Sequence, residues 1–206
     1  VRYRALLDAL GCDVDVYTMP MELPGARRFE HDDEHASYDG DAVRRCHQAP
    51  LRAHEAFQTW RGEFIGKCSP SHFWWGAYDL PCTRFSGRTA PRHPGGVPNM
   101  PDYVAVEAYS HECVSVGWWP GTIGGPVQEA AFYAYAYPEP AGCRTAPIEP
   151  AAGHYHDTLR EWILPYEAVR TSGTPERDVA SFLNSCYTTA AELGGWDRAS
   201  LERRAG

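Results

Sequence analysis

The run Ala131-Phe132-Tyr133-Ala134-Tyr135-Ala136-Tyr137 constrains the fold more than any other stretch of the chain. Successive side chains of an extended strand point to opposite faces, so Ala134 and Ala136 line one face and Tyr133, Tyr135 and Tyr137 the other. Small residues on one side and phenols on the other predict a sheet with two unlike surfaces. Val114, Val116 and Trp118 alternate with their neighbours in the same way and predict a second strand. Further strands are expected at Val14 to Tyr17, Phe73 to Leu80, Thr83 to Ser86 (joined to the previous one through Pro81) and Glu161 to Tyr166.

Helical spacing occurs in three places. Leu6, Leu7 and Leu10 define a short amphipathic helix that Gly11 stops. A second helix is expected from Asp41 through Val43, Cys46, Ala53, Phe57, Trp60 and Phe64, kinked at Pro50. The third has the clearest signals. Thr174 stands as N-cap, Pro175 at the first helical position and Glu176 in the first turn, and Gly194 and Gly195 follow a stripe of Val179, Phe182, Leu183, Cys186, Ala190 and Leu193. The sum is an α+β protein, a mostly antiparallel sheet with amphipathic helices packed on one face. Residues 87–101, rich in Gly and Pro, form a candidate lid or rim. The first and third helices both end on Leu-Gly, which suggests half of a duplicated architecture. On that reading residues 1–24 belong to a repeat whose body lies upstream, and residues 25–206 are the α+β domain.

Composition narrows the function classes. A chain of 206 residues, 43% hydrophobic and 22% charged, is long enough for a substantial core. It has no apolar run of the roughly 20 residues a membrane span needs and no export signal at its start, so a soluble cytoplasmic protein is expected. Net charge of −8 argues against a nucleic-acid partner. The 7 cysteines form no C-x-x-C pair, which fits reduced thiols better than a disulfide framework or a structural zinc site. Of 19 basic residues, Lys67 alone is Lys, the one type that loses its proton readily on burial.

The chemistry-bearing residues concentrate in residues 66–138. The segment Gly66-Lys67-Cys68-Ser69-Pro70-Ser71-His72-Phe73-Trp74-Trp75-Gly76 joins a helix end to a strand start. Tyr109-Ser110-His111-Glu112 enters the next strand, and Gly117-Trp118-Trp119-Pro120-Gly121 leaves it. A His beside a Glu at a strand end supplies general acid/base chemistry or metal ligands, whereas a lone His is as often a satisfied structural residue. Convergence of His35, His72, His111 and Glu112 on zinc or iron is the metal variant of this reading. His31-Asp32-Asp33-Glu34-His35 has ligand composition but reads better as a solvated acidic turn. No nucleophile elbow, phosphate loop or dinucleotide fingerprint is present.

These motifs resemble a bacterial family defined only as a domain of unknown function, DUF5996. The resemblance rests on His35-Ala36-Ser37-Tyr38-Asp39, Phe64-Ile65-Gly66-Lys67-Cys68-Ser69-Pro70, His72-Phe73-Trp74-Trp75-Gly76 and Thr83-Arg84-Phe85-Ser86-Gly87-Arg88. It continues in His93-Pro94-Gly95-Gly96-Val97-Pro98, Tyr109-Ser110-His111-Glu112 and the Ala131 to Pro140 stretch. It implies longer members with an N-terminal β-rich portion, and it carries no established activity. It singles out His35, Tyr38, Asp39, Lys67, Ser69, His72, Arg84, His111 and Glu112, which fall in matching motifs. The chain departs from the pattern at Ala49-Pro50 and Thr122-Ile123.

The leading expectation is a small-molecule enzyme or binding protein with a pocket walled by Trp75, Trp118, Trp119, Tyr133 and Tyr135. His72 and His111 are its acid/base candidates, Glu112 or Asp79 the orienting carboxylate, and Arg84 or Lys67 the anion anchor. The alternative is a non-enzymatic interaction or scaffold protein whose aromatic segments are core and interface.

Overall fold

The Ala/Tyr alternation forms the middle of a five-stranded antiparallel sheet. The structure, a computed structural model, describes residues 2–203. Its strands are β1 (Leu80–Thr89), β2 (His111–Trp119), β3 (Ala131–Tyr137), β4 (His154–His156) and β5 (Glu161–Pro165), in the spatial order β1-β2-β3-β5-β4. The register sets Gly117 opposite Tyr133 and Ser115 opposite Tyr135 across β2 and β3, and Tyr133 opposite Ile163 across β3 and β5. The helices are α1 (Arg2–Ala9), α2 (Gly40–Gly62), α3 (Asp102–Ala108), α4 (Tyr166–Arg170), α5 (Pro175–Leu193) and α6 (Arg198–Leu201). The fold is α+β, as the patterning predicts.

The small-residue face of β3 is the helix side. Cys82, Val114, Val116, Trp118, Phe132, Ala134, Trp162 and Leu164 form one buried cluster with Ala53, Phe57 and Trp60 of α2. Val179, Phe182, Leu183, Cys186, Tyr187, Ala190 and Ala191 of α5 complete it. The spacings along both helices are those of one face, and Ala134 lets α5 approach β3 closely. Each fully buried Phe or Leu here contributes roughly 1.5–3 kcal/mol of transfer free energy. Asp39 caps α2, its carboxylate accepting from Asp41 N at 2.9 Å and Ala42 N at 3.0 Å.

Several expectations need correction. Val14 to Tyr17 is irregular and pairs with no strand among the described residues. Residues 73–78 form no strand; Trp74 pairs with Asp79 across a tight turn in which Tyr78 takes φ +58, and β1 begins only at Leu80. The reversal defeats the two-face alternation expected there. Tyr166 opens α4 instead of ending a strand, while Pro50 lies inside α2, within the helix expected there. No described residue of α1 is buried; Leu6 and Leu10 face solvent. No helix among the described residues is long and apolar enough to cross a membrane.

Residues 17–30 and 87–101 are tied together over the phenol side of the sheet. Asn99 donates to the carbonyls of Pro20 (3.2 Å) and Leu23 (2.7 Å), Tyr17 donates to Asn99 O, and Glu22 N donates to Pro98 O at 2.8 Å. Tyr137 reaches up to Pro91 O at 3.0 Å.

Candidate functional site

The phenol side of the sheet gathers hydroxyls and carboxyls where the helix side gathers hydrocarbon. Tyr133 and Tyr135, two apart on β3, stack at 6.2 Å between ring centroids. The Tyr133 hydroxyl donates to the Asp79 carboxylate, which the 74–79 turn delivers to the start of β1. Tyr135 and Tyr109 share a hydrogen bond of 2.9 Å, and the His93 ring stacks on Tyr109 at 4.8 Å. Thr83 and Ser115 hydroxyls bond at 2.9 Å on the same side. Glu161 at the start of β5 shares the parity of Ile163 and therefore faces this side too. Trp119, Val127 and Leu159 pack around Ala131, Tyr133 and Ile163 and form the apolar border.

The electrostatics follow from burial. Glu161 is pushed up to about 7 by desolvation and, after that, by the charge of Asp79. Burial also raises Asp79, against the lowering effect of the Tyr133 hydroxyl. Glu22, at the open rim, is raised by desolvation and by Asp79. No basic side chain is among the groups that shift these three carboxyls. Burial holds the Tyr133 and Tyr135 phenols well above their usual range, so both stay protonated donors. Glu161 titrates where a general acid or base is useful.

The sequence-derived candidates do not converge. Asp79, Tyr133 and Tyr135 meet as described, with Trp119 beside them. Trp118 points to the helix side and is 2% exposed, since adjacent strand residues face opposite ways. Trp75 lies 81% exposed on the turn, so the expected five-residue aromatic wall does not form. Arg84 is also on the helix side, its guanidinium 3.7 Å from the Trp60 ring centroid and 4.4 Å from that of Tyr187. It donates to Trp60 O and lies 3.8 Å from Glu63. Lys67 is exposed, 6.0 Å above Phe85. Ser69 accepts from Thr83 N at 2.9 Å and so serves the β1 edge.

Nor do the histidines assemble. His72 is exposed and meets Trp74 edge-on, His111 contacts Ser110 at 3.1 Å, and His35 pairs with Asp32 at 2.9 Å. Glu112 holds Arg88 at 2.6 Å and Ser86 at 2.9 Å, while Arg88 donates to the carbonyls of Gly194 and Gly195 past the end of α5. That makes Glu112 a support for the α5 terminus. Asp39 is the α2 cap, and Tyr38 is exposed. Among the described residues no group of three or more His, Cys, Asp or Glu is placed to hold a metal.

Sequence reasoning missed Glu161, Glu22 and the pairing of Tyr109 with Tyr135. Glu161 had a signal: a carboxylate sharing the parity of Ile163 in an otherwise apolar strand. Glu22 had none, because its place depends on a loop in which it takes φ +68.

Two hollows mark the surface elsewhere. One of about 560 Å³ lies between Pro147–Glu149 and the outer face of α5, and one of about 140 Å³ lies between Glu112, Ala136, Tyr137 and Trp196. Neither includes Asp79, Tyr133, Tyr135 or Glu161. Within the patch Tyr133 is buried, and Asp79, Tyr135 and Glu161 are half-buried.

Fold and patch together define a two-faced α+β protein, with an apolar helix-covered side and a proton-rich, loop-covered side. The chain belongs to DUF5996, a family of unknown function, whose model matches residues 2–203. No curated protein matches the chain, and no solved structure does.

Proposed function

We propose that the phenol side of the sheet binds or transforms a small polar molecule, with Glu161 and Asp79 as its proton-handling groups and Tyr133 and Tyr135 as fixed donors. The carrying observation is Glu161, raised to about 7 by burial beside Asp79 with no basic partner among the groups that shift it. A ligand bearing amine or hydroxyl donors satisfies these carboxyls. Access requires residues 17–30 and 87–101 to move off the sheet, and positive φ at Gly95, Gly96 and Asn99 gives the second segment its turns.

The test is a thermal-shift screen of small amines and polyols against the wild-type chain, Asp79→Asn and Tyr133→Phe. A compound that raises the wild-type Tm and leaves both folded variants unmoved supports this reading. Equal shifts in all three proteins place binding elsewhere and overturn it. A second reading, an interaction protein, draws on the exposed Trp74 and Trp75 rings. It predicts that Trp75→Ala abolishes partner capture and leaves the compound response intact.

A further inference from the structure

Cys68 and Cys82 lie outside the patch and on the other side of the sheet. The segment around Cys68 adds to the edge of β1: Cys68 bridges Arg84, Ser69 N donates to Thr83 O at 2.8 Å, and Phe85 N donates to Lys67 O at 3.0 Å. Opposite Arg84, Cys68 shares its parity and that of Cys82, and packs against the helix-side core. The two sulfurs are 4.0 Å apart, Cys82 fully buried and Cys68 half-buried at the edge.

The surroundings are those of a sulfur anion. Arg84 is 1% exposed, and its Nε is buried with no partner; Arg61 Nε is likewise buried and unpartnered. The hydrogen bond from Cys82, followed by the Arg61 and Arg84 guanidiniums, holds the Cys68 thiol down to about 7 despite partial burial. That same hydrogen bond, with burial, pushes Cys82 up. Of the two sulfurs only that of half-buried Cys68 belongs to a residue a solute can reach, which divides the attacking from the resolving role.

We infer that Cys68 and Cys82 are a peroxide-responsive pair, Cys68 attacking a hydroperoxide and Cys82 closing the product to an intramolecular disulfide. In the first step the Cys68 thiolate attacks one peroxide oxygen. An S–O bond forms, the O–O bond breaks, and the leaving oxygen takes a proton and departs as alcohol or water. In the second step the Cys82 sulfur displaces hydroxide from the Cys68 sulfenic acid, and the Cys82 proton leaves with it as water. Two thiols lose two electrons to the peroxide, and no further reductant or oxidant is needed. The sulfurs must close by about 2 Å to reach disulfide length, a movement that rotation of the two side chains and a small shift of the edge segment 67–70 supply.

The experiment treats the folded full chain with equimolar hydrogen peroxide, then unfolds it in denaturant with N-ethylmaleimide to block every remaining thiol, and maps peptides by mass spectrometry. The expected result is the loss of two of the 7 alkylatable thiols as a Cys68–Cys82 cross-link, before exposed Cys12 or half-buried Cys46 is modified. In Cys82→Ser, dimedone traps a sulfenic acid at Cys68; in Cys68→Ser, Cys82 stays reduced. Oxidation of Cys12 or Cys46 first, or over-oxidation of Cys68 with no cross-link, overturns the pair. The wild-type map decides by itself if either variant fails to fold.

Discussion

Glu161 carries the phenol side's pH signature near neutrality. Its folded pKa of about 7 stands above the ordinary 4.5, so between those values the folded chain keeps a proton that the unfolded chain releases. Stability from this group is therefore full below roughly pH 4.5, falls as pH rises, and is lost above about 7. Glu161→Gln, which cannot ionise, is expected to gain on the order of 2 kcal/mol over wild type near pH 8 and nothing near pH 4. Urea titrations of both proteins at the two pH values measure it, and parallel pH profiles sink the idea. Asp79, Tyr133 and Tyr135 were legible as candidates because parity and aromatic density mark them. Their partnership was not, because the turn that brings Asp79 to Tyr133 depends on Tyr78 at φ +58, a conformation that no spacing rule reports.

Among the elements, period and punctuation served well wherever tertiary packing agreed with them. Thr174-Pro175 and Gly194-Gly195 bound α5 as expected, and β2, β3 and β5 fall where alternation or apolar runs put them. Short pieces did not show. Neither β4, three residues long, nor α3 has a periodic stripe to read. The stripe of α1 is present in sequence yet buries none of its described residues. One strand position makes a sharp prediction. Gly117 of β2 lies under the Tyr133 ring, and an added Cβ would overlap the phenol. Gly117→Ala should displace Tyr133 from Asp79 and cost about 1–3 kcal/mol, as overpacking does. Placed in a Tyr133→Ala background, the same change should cost close to nothing. Chemical denaturation of the four proteins closes that cycle, and an unchanged penalty in the double variant would show that the strain lies in the backbone.

Across the whole molecule the two sides of the sheet differ in what holds them. The helix side is bound by a continuous cluster from Ala53 to Ala191, whereas the other side has a small apolar border and a cover of loops fastened by side-chain and main-chain bonds such as Asn99 to Leu23. Buried apolar area resists partial opening in a way that a handful of exposed hydrogen bonds does not. Opening should therefore proceed in layers. Hydrogen exchange is expected to be fastest in α1, which has no buried residue, intermediate in residues 17–30 and 87–101, and slowest in β2, β3 and α5, whose amides exchange only on global unfolding. The middle layer is the informative one, because it covers the carboxyls. A molecule that binds Asp79 and Glu161 under those loops must slow exchange in both segments together, whereas α5 slows only by the gain in global stability that the raised Tm reports. Exchange mass spectrometry with and without a compound from the thermal screen reads this directly. Protection confined to α5 and Pro147–Glu149 would move the binding site to the outer groove and leave the phenol side a structural patch.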